Sequence, residues 1–427
     1  MKAGTNHKLL SKIAVVMGNS LDWYDFALYG YFAAVFAKLY FPTNNEFTSV
    51  IASFATWGIG FAARPIGSIL FGSIGDKYGR VKAFQIASKL IFIPVLLLPI
   101  IPTYDQIGLF APIILVACRL IQGICIGGEF AGGFIYLCET SSKNKRFFMG
   151  SIGSCTGLIG ILTASFVAML CYKIFTPLQL ETYGFRLAFG LAIIFASISY
   201  HLRKNIHETL EYTTAKTLNL PYLGLKDILK HHKKPLLQAF GIVFMHANTF
   251  YFVVMFLNTY KTQVLGLQNS NVLSNNTLLL LINLICVPFV GILADKVGGK
   301  KILTISALLF IFLSYPLFRM IEVPEYTFVV TFIFTFMTIL DSGVVPGLQV
   351  SLIPVHIRFT GMSLIFNIVW GIFGGSVPLI CLSLIHYSNN KYIPAAYIVF
   401  SAFITLITLI SMKPKGEIHG KETYCAI

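Results

Sequence analysis

Titratable side chains are costly inside apolar runs, yet this sequence places several there. Asp22 and Asp25 stand in GNSLDWYDFALYG (18–30) and Arg64 in the next apolar run. Arg119, Gln122 and Glu129 share a later run, and His246, Asn248 and Asp341 lie in two more. An ionisable group within a membrane span marks a functional site by default. Two chemistries follow from these residue types. A carboxylate in a low-dielectric setting resists ionisation and a neighbouring guanidinium restores it, so acids beside a movable base can exchange a proton. The planar arginine fork accepts a carboxylate bidentately, and the faces of Trp23, Tyr24 and Tyr29 suit a quaternary ammonium through cation–π contact.

Depth along each run sorts these residues. At about 1.5 Å per residue, Asp25, Arg64 and Glu129 fall at one level, roughly 15 Å from the inner ends of their spans. Asp22 sits one turn nearer the inner face, and Arg119 roughly 15 Å further out than Glu129 on the same helix. This assigns Asp25 and Glu129 as proton-linked carboxylates, Arg64 as their switchable partner and Asp22 as a supporting acid. Arg119 becomes the receptor for a ligand carboxylate. A plainer reading stays open beside it: Asp25–Arg64 as a static bridge between helices, because buried polar groups need partners. His246 likewise reads as a packing residue or a proton relay. Asp341 either faces a cavity or bonds Ser342 or Thr338.

The elements that position these groups are membrane helices. The chain of 427 residues is 56% hydrophobic and 11% charged, with a mean hydropathy of +0.76, whereas soluble domains average about 25% charged residues. Twelve apolar spans of helix-crossing length occur at 15–38, 48–73, 83–102, 108–136, 148–172, 184–202, 237–258, 276–294, 302–320, 326–353, 360–386 and 392–412. None alternates with the period of a barrel strand. The fold class is therefore all-α membrane protein. The first span lacks a small-residue cleavage site and is not read as a removable signal peptide.

The formal charge of +15 is a topology signal rather than a nucleic-acid footprint. With the amino terminus inside, the outer segments hold Lys38, Lys173, Arg186, Lys261, Arg319 and Lys391, and most other cations fall on inner segments. That bias places both termini in the cytoplasm and draws the inner face to anionic lipid. Eight scattered cysteines without a CxxC pair read as packing residues. No metal site and no cofactor are expected.

The hydrophilic segment 204–236 separates two bundles, 1–203 and 237–427. Residues 225–234 of it read either as a solvated basic linker or as an amphipathic helix with Leu225, Ile228 and Leu229 on the membrane. The two bundles repeat. Gly72, Asp76, Lys77, Gly79 and Lys82 recur at constant offset as Gly291, Asp295, Lys296, Gly298 and Lys301, with Gly299 at the place of Arg80. A weaker echo pairs Glu139 and Arg146 with Ser351 and Arg358. Parallel six-helix repeats are the layout of major facilitator transporters.

Several stretches then resemble the metabolite:proton symporter family of that superfamily, the group that includes proline/betaine, α-ketoglutarate, citrate and shikimate transporters. They are GNSLDWYDFALYG, ARPIGSILFGSIGDKYGR (63–80), RLIQGICIGGEFAGG (119–133), FRLAFG (185–190) with the R-x4-E-T stretch at 203–209, and IPVHIRFTGMSLIFNIVWGIFGG (353–375). The resemblance implies two six-helix pseudo-repeats, with helices one, four, seven and ten lining a central cavity. It thereby makes Gln122, His246, Asn248 and Asp341 candidate substrate contacts beside Arg119. Three departures stand out: Asp22 and Ser351 where the family has Glu, and Gly299 where it has a base. The tail Lys413–Ile427 is too short for the heptads of a coiled coil, so osmotic gating by such a device is not expected.

These readings imply a proton-coupled carrier of a small organic acid or zwitterion in the inner (plasma) membrane, acting as a monomer among lipids and without nucleic acid. Proline/betaine uptake comes first and dicarboxylate or α-ketoglutarate uptake second, because the cavity helices supply a single arginine. An enzyme is disfavoured: HExxH, a Walker lysine and a GxSxG elbow are absent from the sequence. A channel or receptor remains a remote alternative.

Overall fold

The structure is a computed structural model that describes residues 2–43, 46–204, 206–218, 222–267 and 269–412. Among these residues it is helical throughout and contains no strand. With no water in a bilayer core, a helix satisfies its own backbone groups, which is why apolar spans of this length fold this way. Ten of the described helices are long and apolar enough to cross a membrane. Two more, Lys2–Tyr31 and Glu46–Tyr78, are 30 and 33 residues long. The first of them carries Asn19, Asp22 and Asp25, which dilute its apolar character.

The chain divides into two compact units. The first comprises residues up to Tyr136 together with Thr156–Thr213. Its helices are α1 (Lys2–Tyr31), α2 (Ala33–Tyr40), α3 (Glu46–Tyr78), α4 (Arg80–Leu97), most of α5 (Phe110–Glu139) and α6 (Arg146–Ile174), α7 (Phe185–Arg203) and the start of α8 (Leu210–Thr217). The second comprises Leu137–Cys155, where α5 ends and α6 begins, together with the residues from Thr214 onward. It contains α9 (Leu225–His231), α10 (Lys233–Tyr251), α11 (Asn269–Val297), α12 (Gly299–Met320), α13 (Thr327–Ser342), α14 (Val345–Leu352), α15 (Arg358–Ile368), α16 (Val377–Ser388) and α17 (Ile393–Ser411).

Glycine sets the geometry at two kinds of place. Gly79 and Gly298 join α3 to α4 and α11 to α12 with φ of 111° and 101°, a region other residues rarely adopt. The two copies of the repeated motif therefore make the same turn. Within the first unit, Gly67 lies on the backbone of Ile124, while Gly123 and Gly127 lie on the backbones of Gly60 and Arg64. Small residues let α3 and α5 touch main chain to main chain, which brings Arg64 to the level of Glu129.

The segment α9 does form a helix, but Ile228 is buried inside the second unit while Leu229 is exposed. The expected membrane-facing trio is thus split, because Ile228 finds protein rather than lipid to cover it. The carboxy-terminal tail from Lys413 lies outside the described residues.

Candidate functional site

The candidate residues fall into three groups of buried polar side chains, two in the first unit and one in the second. In the first, α1 and α5 bring Asp25 against Arg119 and Gln122. Arg119 Nη1 donates to Asp25 Oδ2 at 2.9 Å and Gln122 Nε2 donates to the same oxygen at 2.7 Å. All three residues are at most 5% exposed. Arg119 Nε and Nη2 make no hydrogen bond among the described residues. Half of the guanidinium fork is therefore uncommitted. Its carbon lies 4.2 Å from the Tyr29 ring centroid, and Tyr29 also stacks on Phe36 at 4.5 Å.

The second group lies further along α5. Glu129 on α5 forms an ion pair with Arg203, the last residue of α7. Arg203 Nη1 also donates to Ser88 Oγ on α4 at 2.6 Å. Asp22 is buried within the electrostatic reach of Glu129, Arg203 and Arg64. The Arg64 guanidinium packs on aromatic faces, 4.1 Å from Phe61, 4.8 Å from Phe26 and 5.5 Å from Trp23.

This arrangement corrects the counted level. By depth alone Asp25 stands with Arg64 and Glu129, and Arg119 stands further out. The structure instead joins Asp25 to Arg119, and Asp22 to the field of Glu129 and Arg64. The cause is the zero of the count: α1 starts at Lys2, well before its apolar span, so span ends on different helices do not mark one plane. Long arginine side chains then close the remaining distance. A second correction concerns charge balance. Arg203 reads from sequence as an inner-side cation just past the span 184–202, yet it is 2% exposed and turned into the bundle. Three buried acids, Asp22, Asp25 and Glu129, thus meet three buried arginines, Arg64, Arg119 and Arg203. The expected excess of acid disappears. The R-x4-E-T stretch contained the signal for Arg203, but composition assigned it to water.

The aromatic residues expected to receive a cation are already engaged. Tyr24 donates its hydroxyl to the Ala188 carbonyl at 2.7 Å, and Tyr29 donates to that of Ser53 at 3.2 Å. Trp23 packs on Phe130 and under Arg64. Internal cations and packing therefore occupy faces that the sequence left open for a ligand.

In the second unit, His246 Nδ1 lies 2.8 Å from Asp341 Oδ1, and Thr249 donates to Asp341 Oδ2 at 2.9 Å. Asp341 thus has a partner the sequence did not suggest, joining α10 to α13, with Ser342 a weaker one at 3.4 Å. The Trp370 ring lies 5.3 Å from the His246 ring and 5.1 Å from Phe250. Trp370 stands on a π-helical segment, Val369–Gly374. Such segments re-aim side chains and cluster at functional positions. Asn248 is spent on packing: its amide donates to Phe244 and its oxygen accepts from Tyr397 at 2.9 Å.

The repeated motifs resolve into caps. Asp295 accepts from the backbone amides of Phe147 and Phe148 at 2.9 and 3.0 Å, at the amino end of α6, where a carboxylate complements the helix dipole. Around the first copy, Arg80 donates to the Gly75 carbonyl and pairs with Asp76 at 3.4 Å. Glu208 accepts from Val81 at 3.2 Å, and Tyr212 donates to the Lys77 carbonyl at 3.1 Å. Burial raises the Tyr212 phenol above its ordinary pKa, so it stays a neutral donor. Arg358 pairs with Glu139 at 2.7 Å. The acid missing at Ser351 does not leave Arg358 unsatisfied.

Helices long and apolar enough to cross a membrane, in two units with repeated turns and buried ion pairs, are the architecture of a polytopic membrane protein. The Major Facilitator Superfamily model matches residues 15–378. The chain is 30% identical over 412 residues to the glycine betaine/proline/ectoine/pipecolic acid transporter OusA of Dickeya dadantii, covering 94% of this chain and 82% of that one. It is 28% identical to the citrate-proton symporter of Klebsiella pneumoniae, covering 92% and 89%. The solved structure of the major facilitator superfamily proton:xylose symporter XylE bound to 6-bromo-6-deoxy-D-glucose shares its fold, with a TM-score of 0.73 at 15% identity over 95% of each chain. The chain belongs to the Major Facilitator Superfamily, in its proline/betaine transporter-like family. It is a multi-pass membrane transporter, not an enzyme.

Proposed function

We propose that this protein is a proton-coupled symporter of a small carboxylate-bearing metabolite, with a proline- or betaine-type zwitterion as the substrate class. The observation that carries the reading is the buried Asp25–Arg119–Gln122 group with its half-used guanidinium. A substrate carboxylate competes with Asp25 for Arg119. Protonation removes the Asp25 charge and releases the fork, so proton and substrate favour the same state. Glu129 is a second proton-linked acid, because its ion pair with Arg203 breaks in the same way. Asp22 and Arg64 hold the field around it. In the second unit Asp341 is held by His246 and Thr249, and the Trp370 ring, itself beside Phe250, packs on His246; a carboxylate and aromatic faces of this kind have the chemistry to meet a cationic group.

Names of relatives support the class: one transports betaine and proline, another couples citrate to protons. The half-used fork of Arg119 favours one carboxylate over the several of citrate, which keeps dicarboxylate transport as the second reading. The bundles 1–203 and 237–427 act as the two bodies of an alternating-access monomer, with 204–236 as linker. The asymmetry of Lys and Arg supports both termini facing the cytoplasm of an inner membrane. Reconstitution into liposomes tests this. An imposed pH gradient should drive uphill uptake of labelled proline or glycine betaine, and preloaded liposomes should exchange label without a gradient. Failure of both across betaines, amino acids and organic acids would overturn the reading.

A further inference from the structure

Lys89 has no task in the account above. It is the tenth residue of α4, roughly 14 Å along the helix from Arg80 at 1.5 Å per residue, and it is exposed on the outside of the bundle. A lysine at such a depth normally extends along its helix toward the headgroups. Here it finds a cavity of about 170 Å³ between α4 and α7, lined by Gln85, Ser88, Lys89, Tyr200, Arg203 and Lys204. That volume equals about five or six waters at roughly 30 Å³ each.

The charges in this cavity are uneven. Arg203 forms the inner wall and is held by Glu129 and Ser88. Ser88 is spent, accepting from Arg203 and donating to Phe84 at 2.8 Å. Lys89 and Lys204 make no ion pair among the described residues. The Lys204 ammonium lies 4.8 Å from the Tyr200 ring centroid, which keeps it at the cavity rather than in open water. Two ammonium groups beside a guanidinium repel one another, and more strongly in a groove flanked by lipid than in water. No carboxylate of this wall remains to neutralise them, so an anion from outside relieves the repulsion. Lysines act as point charges toward phosphate oxygens. Basic pockets between membrane helices on the inner side take lipid headgroups.

We infer that the groove between α4 and α7 is a phosphate-anion site, with Lys89 and Lys204 as the binding cations and Gln85 and Tyr200 as hydrogen-bonding walls. The anion is the phosphodiester of an acidic phospholipid or inorganic phosphate, which share this chemistry. The site is separate from the Asp25–Arg119 group and stands whether or not the substrate assignment does.

The test compares wild type, Lys204→Gln, Lys89→Gln/Lys204→Gln and the exposed control Lys301→Gln. Each is titrated with phosphatidylglycerol, phosphatidylcholine or sodium phosphate at constant ionic strength. Lipid adducts are read by native mass spectrometry and unfolding by thermal melting. Both lysines are exposed, so the variants should fold, as equal melting in phosphatidylcholine would verify. Wild type should retain phosphatidylglycerol over phosphatidylcholine. The double variant should bind it roughly 25-fold more weakly, about fivefold per lysine, with the single variant between and the control unchanged. Stabilisation by phosphatidylglycerol alone assigns the lipid as the source. Stabilisation by sodium phosphate that the double variant loses assigns the free anion. Equal retention and equal melting responses in wild type and double variant would overturn the proposal.

Discussion

Asp25→Asn isolates the coupling step. Asparagine keeps the size of the side chain and can still accept from Gln122, but it carries no charge to hold Arg119 Nη1 at 2.9 Å. Two consequences have opposite sign. Without ligand, an arginine that is fully buried loses its counter-charge, a change that typically costs about 3–5 kcal/mol. With ligand, the substrate carboxylate no longer competes with Asp25, so binding persists and loses its dependence on pH. One pH unit is worth 1.36 kcal/mol per proton, about tenfold accumulation for one proton per substrate. In liposomes with a gradient of one pH unit, wild type should approach about tenfold accumulation. The variant should stop near the external concentration while still exchanging label at equilibrium. It should also melt lower than wild type without ligand and recover more on adding it. Accumulation at the wild-type level by a folded Asp25→Asn protein would refute the reasoning. So would an affinity that keeps the wild-type pH dependence.

Further outcomes follow from the other contacts. Glu129→Gln should also lose gradient-driven uptake, because Arg203 then loses its ion-paired carboxylate; unchanged uptake would remove Glu129 from the coupling scheme. Arg119→Lys should keep the charge beside Asp25 but lose the fork, weakening carboxylate binding at least tenfold by calorimetry. Asp295→Ala removes two caps on α6 and should cost about 1–2 kcal/mol, seen as a lower melting temperature that Asp295→Asn partly restores. Gly127→Leu would force α5 away from the Arg64 backbone and should abolish folded, monodisperse protein, whereas Gly30→Leu, with open space at its α-carbon, should be tolerated.

Much of this protein was legible without coordinates. The apolar spans, the repeat around Gly79 and Gly298 and the family stretches all depend on local chemistry. Bilayer thickness sets span length, and a turn with positive φ selects glycine. Burial of Asp22, Asp25, Glu129, Arg64 and Arg119 was legible for the same reason, since an apolar run has no water to offer them. Which acid meets which base was not. Asp25–Arg119 and His246–Asp341 join residues 94 and 95 positions apart. Their pairing depends on where each helix starts, how closely glycines let α3 and α5 approach, and how far a long side chain reaches. Arg203 shows the limit most plainly: its place at the end of a span made it a surface cation by sequence, and only the packing of α7 against α1 and α4 turned it inward to Glu129 on α5. The sequence by itself determined that buried charges must be paired; the tertiary structure alone decided the partners, because ion pairing acts through space rather than along the chain.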